Sequence, residues 1–156
     1  MNDAHFKGRE GLFEPIKGKR ILITGGTGFF GKWLLLALDH ANKAWGMDIK
    51  VISLSRNPGR FLEAFTEMKA LSNVEFLAAD VRDFQYSGGE VDFVIHAATE
   101  SSGTLERDNP KEMFSTIVDG TRHVLELSRK CGAGRILMVS SGGVYGEAPA
   151  TAGLIS

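Results

Sequence analysis

The chain has 156 residues, of which 43% are hydrophobic and 24% charged, a composition typical of one globular domain. Its net charge of −1 provides no basic field for nucleic acid or for an anionic membrane, so we expect neither as a partner. The single cysteine, Cys131, excludes an internal disulfide and no apolar run is long enough to cross a membrane, which predicts a cytoplasmic protein. Residues 1–18 are polar and rich in glycine and charge, and we expect a surface extension ahead of a domain at residues 19–156.

Short apolar runs alternate with helical patterns through the rest of the chain. Residues 80–90 are too short for a helical crossover, so we expect a loop or a single turn there. The alternation predicts an α/β fold with right-handed crossovers and a parallel sheet. The predicted strands are 21–23, 48–55, 74–79, 91–96 and 135–140, and the predicted helices are 29–40, a segment opening at Asn57, and 113–130.

The segment ITGGTGFFGKWLL, residues 23–35, contains three overlapping glycine spacings. The triphosphate-binding spacing G-x-x-x-x-G-K requires Ser or Thr after the lysine to hold magnesium, and Trp33 follows Lys32 instead. The other two spacings, G-x-G-x-x-G and G-x-x-G-x-x-G, are both typical of dinucleotide-binding loops between a strand and a helix. On the loop alone, a glycine-rich turn that binds nothing is the alternative.

Five segments in order resemble the extended branch of the short-chain dehydrogenase/reductases, the NAD-dependent epimerase/dehydratase family that acts on nucleotide sugars. They are TGGTGFFG (24–31), AADVRD (78–83), VIHAATES (94–101), VDGTRHVLELSRK (118–130) and MVSSGGVYG (138–146). The resemblance implies a Rossmann-like, doubly wound parallel sheet with the strand order 3-2-1-4-5. It also implies that Gly25, Gly28 and Gly31 are the three glycines of a G-x-x-G-x-x-G loop.

The same resemblance implies an NAD(P) site at the carboxyl ends of the strands. Asp80 would accept a hydrogen bond from the adenine amino group, and the loop at residues 97–99 would lie beside the nicotinamide ribose. No metal site is predicted. The predicted cofactor-binding residues are Gly25, Gly28, Phe29, Phe30, Gly31, Ser55, Arg56, Asp80, Val81, Ala97, Ala98 and Thr99.

The end of the second strand bears on the choice between NAD and NADP. An NAD site usually has Asp or Glu there, which binds the 2′-hydroxyl and repels a 2′-phosphate. Here Ser55 and Arg56 stand at this position, and Arg can offer a planar donor fork to a phosphate. The pattern therefore favours NADP, although an exposed strand-end arginine is the alternative interpretation.

By resemblance, Ser141 would hydrogen-bond the reacting sugar oxygen, beside a Tyr-x-x-x-Lys pair. The tyrosines of this chain are followed four residues later by Glu90 and Pro149, so the pair is absent from it. We therefore expect this to be the cofactor-binding N-terminal part of an enzyme, inactive on its own.

Two departures from the family pattern limit what the resemblance implies. The family's 4,6-dehydratases carry Asp-Glu after the catalytic Ser or Thr, and Gly142 and Gly143 at these positions argue against 4,6-dehydration. The third helix has Ile117 where the family motif has Asn, so the packing of this helix against the backbone is not expected to follow the usual family pattern.

The expected activity is hydride transfer at a hydroxyl of a nucleotide sugar. The alternatives are an NADP-dependent carbonyl reductase acting on a non-sugar substrate and a non-catalytic dinucleotide-binding module. We also expect self-association through the fifth strand and the third helix, unless residues 147–156 fold back over the strand edge.

Overall fold

The computed structural model describes residues 6–99, 108–141 and 146. Within them no helix is long and apolar enough to cross a membrane. The described residues include three short 3-10 helices, at Glu10–Leu12, Glu14–Ile16 and Thr66–Ala70. The strands and α-helices are β1 (Arg20–Thr24), α1 (Phe29–Trp45), β2 (Lys50–Ser55), α2 (Pro58–Ala64), β3 (Val74–Ala78), β4 (Phe93–His96), α3 (Pro110–Lys130) and β5 (Arg135–Met138).

The five strands form one parallel sheet in the order β3-β2-β1-β4-β5, which confirms the predicted Rossmann-like topology. The predicted absence of a helix between β3 and β4 is also confirmed. The strand order reverses between β1 and β4, whose carboxyl ends therefore open a crevice.

The sheet separates two apolar cores, and β1 contributes to both because its side chains alternate. Ile21 and Ile23 face a core built with α1 and α2, whereas Leu22 faces a second core on the α3 side. Burial on both faces accounts for the continuously apolar sequence of the strand.

The helix boundaries differ from the predicted ones because of local caps. Helix α1 runs to Trp45 and ends at Gly46, whose φ of +61° and N–H bond to the Asn42 carbonyl complete a left-handed cap. The second helical pattern breaks at Phe65, where φ is −129°, and continues as a 3-10 helix. Helix α3 begins at Pro110, three residues before the predicted start, after an Asn109 cap.

The N-terminal extension packs against the domain through aromatic side chains. Phe6 stacks on His40 with ring centroids 4.4 Å apart, and Phe13 lies 5.4 Å from Trp45. Phe13 and Ile16 also contact the core on the α1 side. The polar composition of residues 1–18 did not indicate these apolar contacts.

Candidate functional site

A cavity of about 590 Å³ lies at the carboxyl ends of β1, β2, β3 and β4. Nine of the twelve predicted cofactor-binding residues line it: Gly25, Gly28, Ser55, Arg56, Asp80, Val81, Ala97, Ala98 and Thr99. Phe29, Phe30 and Gly31 do not, and neither does the predicted catalytic Ser141.

The glycine loop is shaped by close backbone contacts. Gly25 has φ of +72°, and a Cβ on it would stand 2.6 Å from the Ala97 carbonyl oxygen. A Cβ on Gly31 would overlap the Gly26 backbone, and one on Gly26 would overlap the Ser53 side chain. Gly26, which the motif treats as a variable position, therefore also requires a glycine while Ser53 lies beneath it.

The N-terminus of α1 opens at the cavity without a side-chain cap. Gly28 occupies the N-cap, and its carbonyl accepts the first helical hydrogen bond from Lys32 at 2.9 Å. Phe29 and Phe30 are 72% and 67% exposed, so a contact from either residue to a ligand in the cavity would have to come from its backbone N–H group. A helix N-terminus with unpaired N–H groups favours an anion.

Ser55 and Arg56 both line the cavity at the end of β2. The Ser55 hydroxyl oxygen is inaccessible to solvent and has no hydrogen-bond partner among the described residues. A ribose contact from this hydroxyl therefore requires a rotation of the side chain. The exposed Arg56 side chain lies at the same end of the cavity.

Asp80 lies at the cavity just beyond β3, and Arg82 holds its carboxylate. The Nε and Nη2 atoms of Arg82 donate to Oδ1 and Oδ2 at 2.8 and 2.7 Å. These side-chain hydrogen bonds keep the pKa of the Asp80 carboxyl below its ordinary value, so the group is a carboxylate at neutral pH. An ionised, oriented carboxylate is suited to accept a ligand hydrogen bond.

His96 at the end of β4 joins the glycine loop to α3. Its Nδ1 lies 2.7 Å from Thr24 Oγ1, and its Nε2 lies 3.0 Å from Thr121 Oγ1. Thr24 Oγ1 also accepts the Ala98 N–H at 3.2 Å, which fixes the 97–99 loop. Burial lowers the pKa of His96, and both hydroxyls can pair with the neutral ring. His96 therefore supports the site rather than lining it.

Thr116 of α3 also lines the cavity and was not predicted. Helix α3 reaches this position because it packs closely against the loop that carries Val81. Gly120 allows this close packing, since a Cβ at residue 120 would stand only 2.8 Å from Val81 Cγ1. Ile117, which replaces the family's Asn, is 37% exposed, and the close approach of α3 occurs without that Asn.

Ser141 is exposed and follows β5, whose strand end lies next to that of β4. Gly142 and Gly143, on which the argument against 4,6-dehydration depends, lie outside the described residues.

The model of the NAD dependent epimerase/dehydratase family matches residues 21–154. The chain therefore belongs to this family, as its motifs predicted.

Comparison with two relatives shows what share of a family member's length this chain covers. The inverting UDP-N-acetylglucosamine 4,6-dehydratase of Campylobacter jejuni is 34% identical over 130 residues, covering 80% of this chain and 36% of that protein. CDP-glucose 4,6-dehydratase of Salmonella typhimurium is 31% identical over 125 residues, covering 74% of this chain and 32% of that protein. The chain thus spans about a third of the length of these relatives.

Solved structures agree with the fold. DesIV of Streptomyces venezuelae, a dTDP-glucose 4,6-dehydratase solved with NAD bound, is 28% identical with a TM-score of 0.68, covering 86% of this chain and 42% of that one. Pen from Bacillus thuringiensis is 25% identical with a TM-score of 0.70, covering 84% of this chain and 40% of that one.

Proposed function

We propose that this chain binds NAD(P) in the 590 Å³ cavity, as the cofactor-binding part of an oxidoreductase that transfers hydride at a nucleotide-sugar hydroxyl. The observation that carries the proposal is the uncapped α1 N-terminus beside the glycine loop. Asn57 and Asn109 cap α2 and α3 with their side chains, whereas Gly28 leaves the first turn of α1 open. A pyrophosphate is the ligand that such a terminus favours at a switch point.

The remaining residues of the cavity fit the other parts of a dinucleotide. Asp80 and Val81 would hold the adenine, and residues 97–99 would lie against the nicotinamide ribose. When bound, the nicotinamide would supply the hydride donor or acceptor. Membership of a family named for NAD dependence supports this assignment.

We further propose that the site prefers NADP to NAD. Arg56 lines the cavity at the end of β2. That strand end carries no Asp or Glu, whose carboxylate would repel a 2′-phosphate. Ser55 would add a contact from its hydroxyl group to the ribose after rotation of its side chain.

Nucleotide sugars are the proposed substrate class because the named relatives act on UDP-, CDP- and dTDP-sugars. Ser141 is the residue proposed to contact the reacting sugar oxygen. Gly142 and Gly143 lack proton-transfer groups, so we propose epimerisation or simple oxidoreduction in the intact protein rather than 4,6-dehydration.

The test is a fluorescence titration of NADPH and NADH with a matched pair of variants at Gly28. Gly28 has φ of −76° and ψ of −179°, a backbone that any residue adopts, and both Asp and Asn are good N-caps. A Cβ at this position would stand 3.2 Å from the Gly25 carbonyl oxygen, a tight contact that both variants share and that a shift of a few tenths of an ångström relieves. Gly28→Asp and Gly28→Asn should therefore fold. Both side chains would occupy the phosphate position, and Asp would add charge repulsion.

We expect both variants to bind the dinucleotides less tightly than the wild type. The affinity of Gly28→Asp should be lower than that of Gly28→Asn by about tenfold or more. Unchanged affinity in Gly28→Asp would refute the assignment of the loop to the pyrophosphate.

A further inference from the structure

Arg82 occupies most of the hydrogen-bonding capacity of Asp80. The backbone N–H of Arg82 and its Nε both donate to Oδ1, at 2.9 and 2.8 Å, and Nη2 donates to Oδ2 at 2.7 Å. A carboxylate has about four lone-pair sites, two on each oxygen. Counting the described residues, Oδ1 is therefore saturated, and Oδ2 keeps about one acceptor site.

The side chains of Asp80 and Arg82 differ in their position relative to the cavity. Asp80 lines the cavity, whereas Arg82 does not, and their side chains are 26% and 31% exposed. The planar fork of Arg82 fixes the plane of the carboxylate because two of its nitrogens bind two different oxygens. A ligand in the cavity thus meets Asp80 in one orientation, through one oxygen.

A single remaining acceptor restricts what Asp80 can bind. A ribose diol held by one carboxylate presents two O–H donors and needs two acceptor sites. An exocyclic amino group presents one N–H to one acceptor. A base with a carbonyl at the same position would place a second acceptor against Oδ2, which is unfavourable.

We propose that Arg82 is a positioning residue that leaves Asp80 one acceptor site, and thereby makes the cavity select adenine over a base with a carbonyl in place of the amino group. This inference rests on the proposed function, because it requires a dinucleotide in the cavity. Arg82 acts through Asp80 and does not touch the ligand. The lowered pKa of Asp80 agrees with a permanently charged acceptor.

The competing interpretation is that the pair only closes a turn. The Asp80 carbonyl accepts the Phe84 N–H at 3.1 Å, and the Arg82 backbone bond to Oδ1 belongs to the same turn. A purely structural role predicts that loss of Arg82 weakens every dinucleotide equally. A positioning role predicts that it changes the ratio of affinities for two bases.

The experiment compares NADH with reduced nicotinamide hypoxanthine dinucleotide, titrated into the 156-residue chain by fluorescence. The wild type should bind the adenine form about tenfold or more tightly, the effect of one charge-assisted hydrogen bond. Arg82→Ala should reduce this ratio of affinities by roughly two- to tenfold. Without Arg82 the Asp80 carboxylate is no longer held in place, and the adenine form must order it on binding, which costs part of its affinity. Arg82→Lys should behave similarly, because it keeps the charge without the fork.

A wild-type ratio near one, or a ratio unchanged in both variants, would overturn the inference while leaving dinucleotide binding intact. If neither dinucleotide binds the wild type, the proposed function fails and this inference fails with it. Thermal melting reports whether each variant folds. If Arg82→Ala does not fold, Arg82→Lys decides.

Discussion

Gly25 and Ala97 touch across the carboxyl ends of β1 and β4: a Cβ on Gly25 would stand 2.6 Å from the Ala97 carbonyl oxygen and 2.7 Å from its carbon. Gly25 also donates its N–H to the Leu54 carbonyl of β2 at 2.9 Å. The glycine loop is therefore anchored to the strands on both sides of β1, where Gly25, Leu54 and Ala97 all line the cavity.

We predict that Gly25→Ala destabilises the protein more than Gly46→Ala does. Both glycines have positive φ, +72° and +61°, but a Cβ on Gly46 meets none of the described residues within 4 Å. Gly46→Ala should therefore cost only the left-handed backbone, about 1–2 kcal/mol, and Gly25→Ala should cost more by the overlap with Ala97. Urea unfolding of both variants measures the difference, and equal losses would contradict the contact.

Arg56→Ala should weaken NADP binding more than NAD binding. Loss of a charge-assisted contact to the 2′-phosphate should cost roughly 1–3 kcal/mol for NADP and little for NAD. Arg60→Ala is the control, because Arg60 is an exposed arginine nearby that does not line the cavity. Calorimetry with both cofactors gives the four affinities. An equal loss for the two cofactors in Arg56→Ala would show that Arg56 does not contact the phosphate.

His96 should make the stability of the protein fall as the pH drops below about 6.5. Burial lowers its pKa in the folded state, so the unfolded chain, with a His pKa of about 6.5, binds more protons in this range. Stability is therefore complete above about pH 6.5 and declines as the pH falls toward the folded pKa. Protonation of Asp80 and Asp92, whose pKa values are lowered, reduces stability mainly at lower pH, as the pH falls through the ordinary Asp value of about 3.9.

Thermal melting of wild type and His96→Gln at pH 7.5 and pH 5 measures this dependence. Gln keeps hydrogen-bonding groups between Thr24 and Thr121 but does not titrate in this range. The wild type should lose more stability on acidification than the variant. The same loss in both proteins would exclude His96 as the cause.

The 156-residue chain should show no turnover with UDP- or dTDP-sugars, because Tyr86 and Tyr145 are not followed four residues later by lysine. Hydride transfer from a hydroxyl needs a base to take the proton. Absorbance of NAD(P)H at saturating cofactor measures the reaction. Turnover that disappears in Ser141→Ala would contradict this prediction and would require another acid/base group.

The strands were predictable from the sequence because each contains a local cluster of apolar residues, and the order of the strands followed from the resemblance of the glycine loop and the later segments to a known family. The contact between Gly26 and Ser53 was not predictable, because it depends on the register of β1 against β2. Thr116 was missed for a similar reason: its place at the cavity depends on how closely α3 approaches Val81. Phe13 was missed because it lies in a segment whose composition is mostly polar, charged and rich in glycine, although Leu12 and Ile16 stand close to it.

The surface around β5 leads to a prediction about association. Strand β5 is the edge of the described sheet next to β4, and within the described part of the chain its residues are exposed on both faces, including Leu137 at 61%. Phe114 and Leu125 of α3, eleven residues or about three turns apart, are exposed on one side of that helix. An open strand edge with apolar side chains favours pairing with another chain.

We predict that the chain self-associates through β5, and that a charge on this strand prevents it. Leu137→Lys should shift the chain toward monomer because lysine on an edge strand opposes pairing. Leu12→Lys is the matched control, because Leu12 is also an exposed leucine, at 72%, and belongs to a 3-10 helix of the N-terminal segment rather than to the sheet. Light scattering across a concentration series should show a mass that rises with concentration in the wild type and in Leu12→Lys, but not in Leu137→Lys. A monomeric wild type at high concentration, with β5 amides protected in hydrogen exchange, would mean that the edge is covered in solution and that the prediction is wrong.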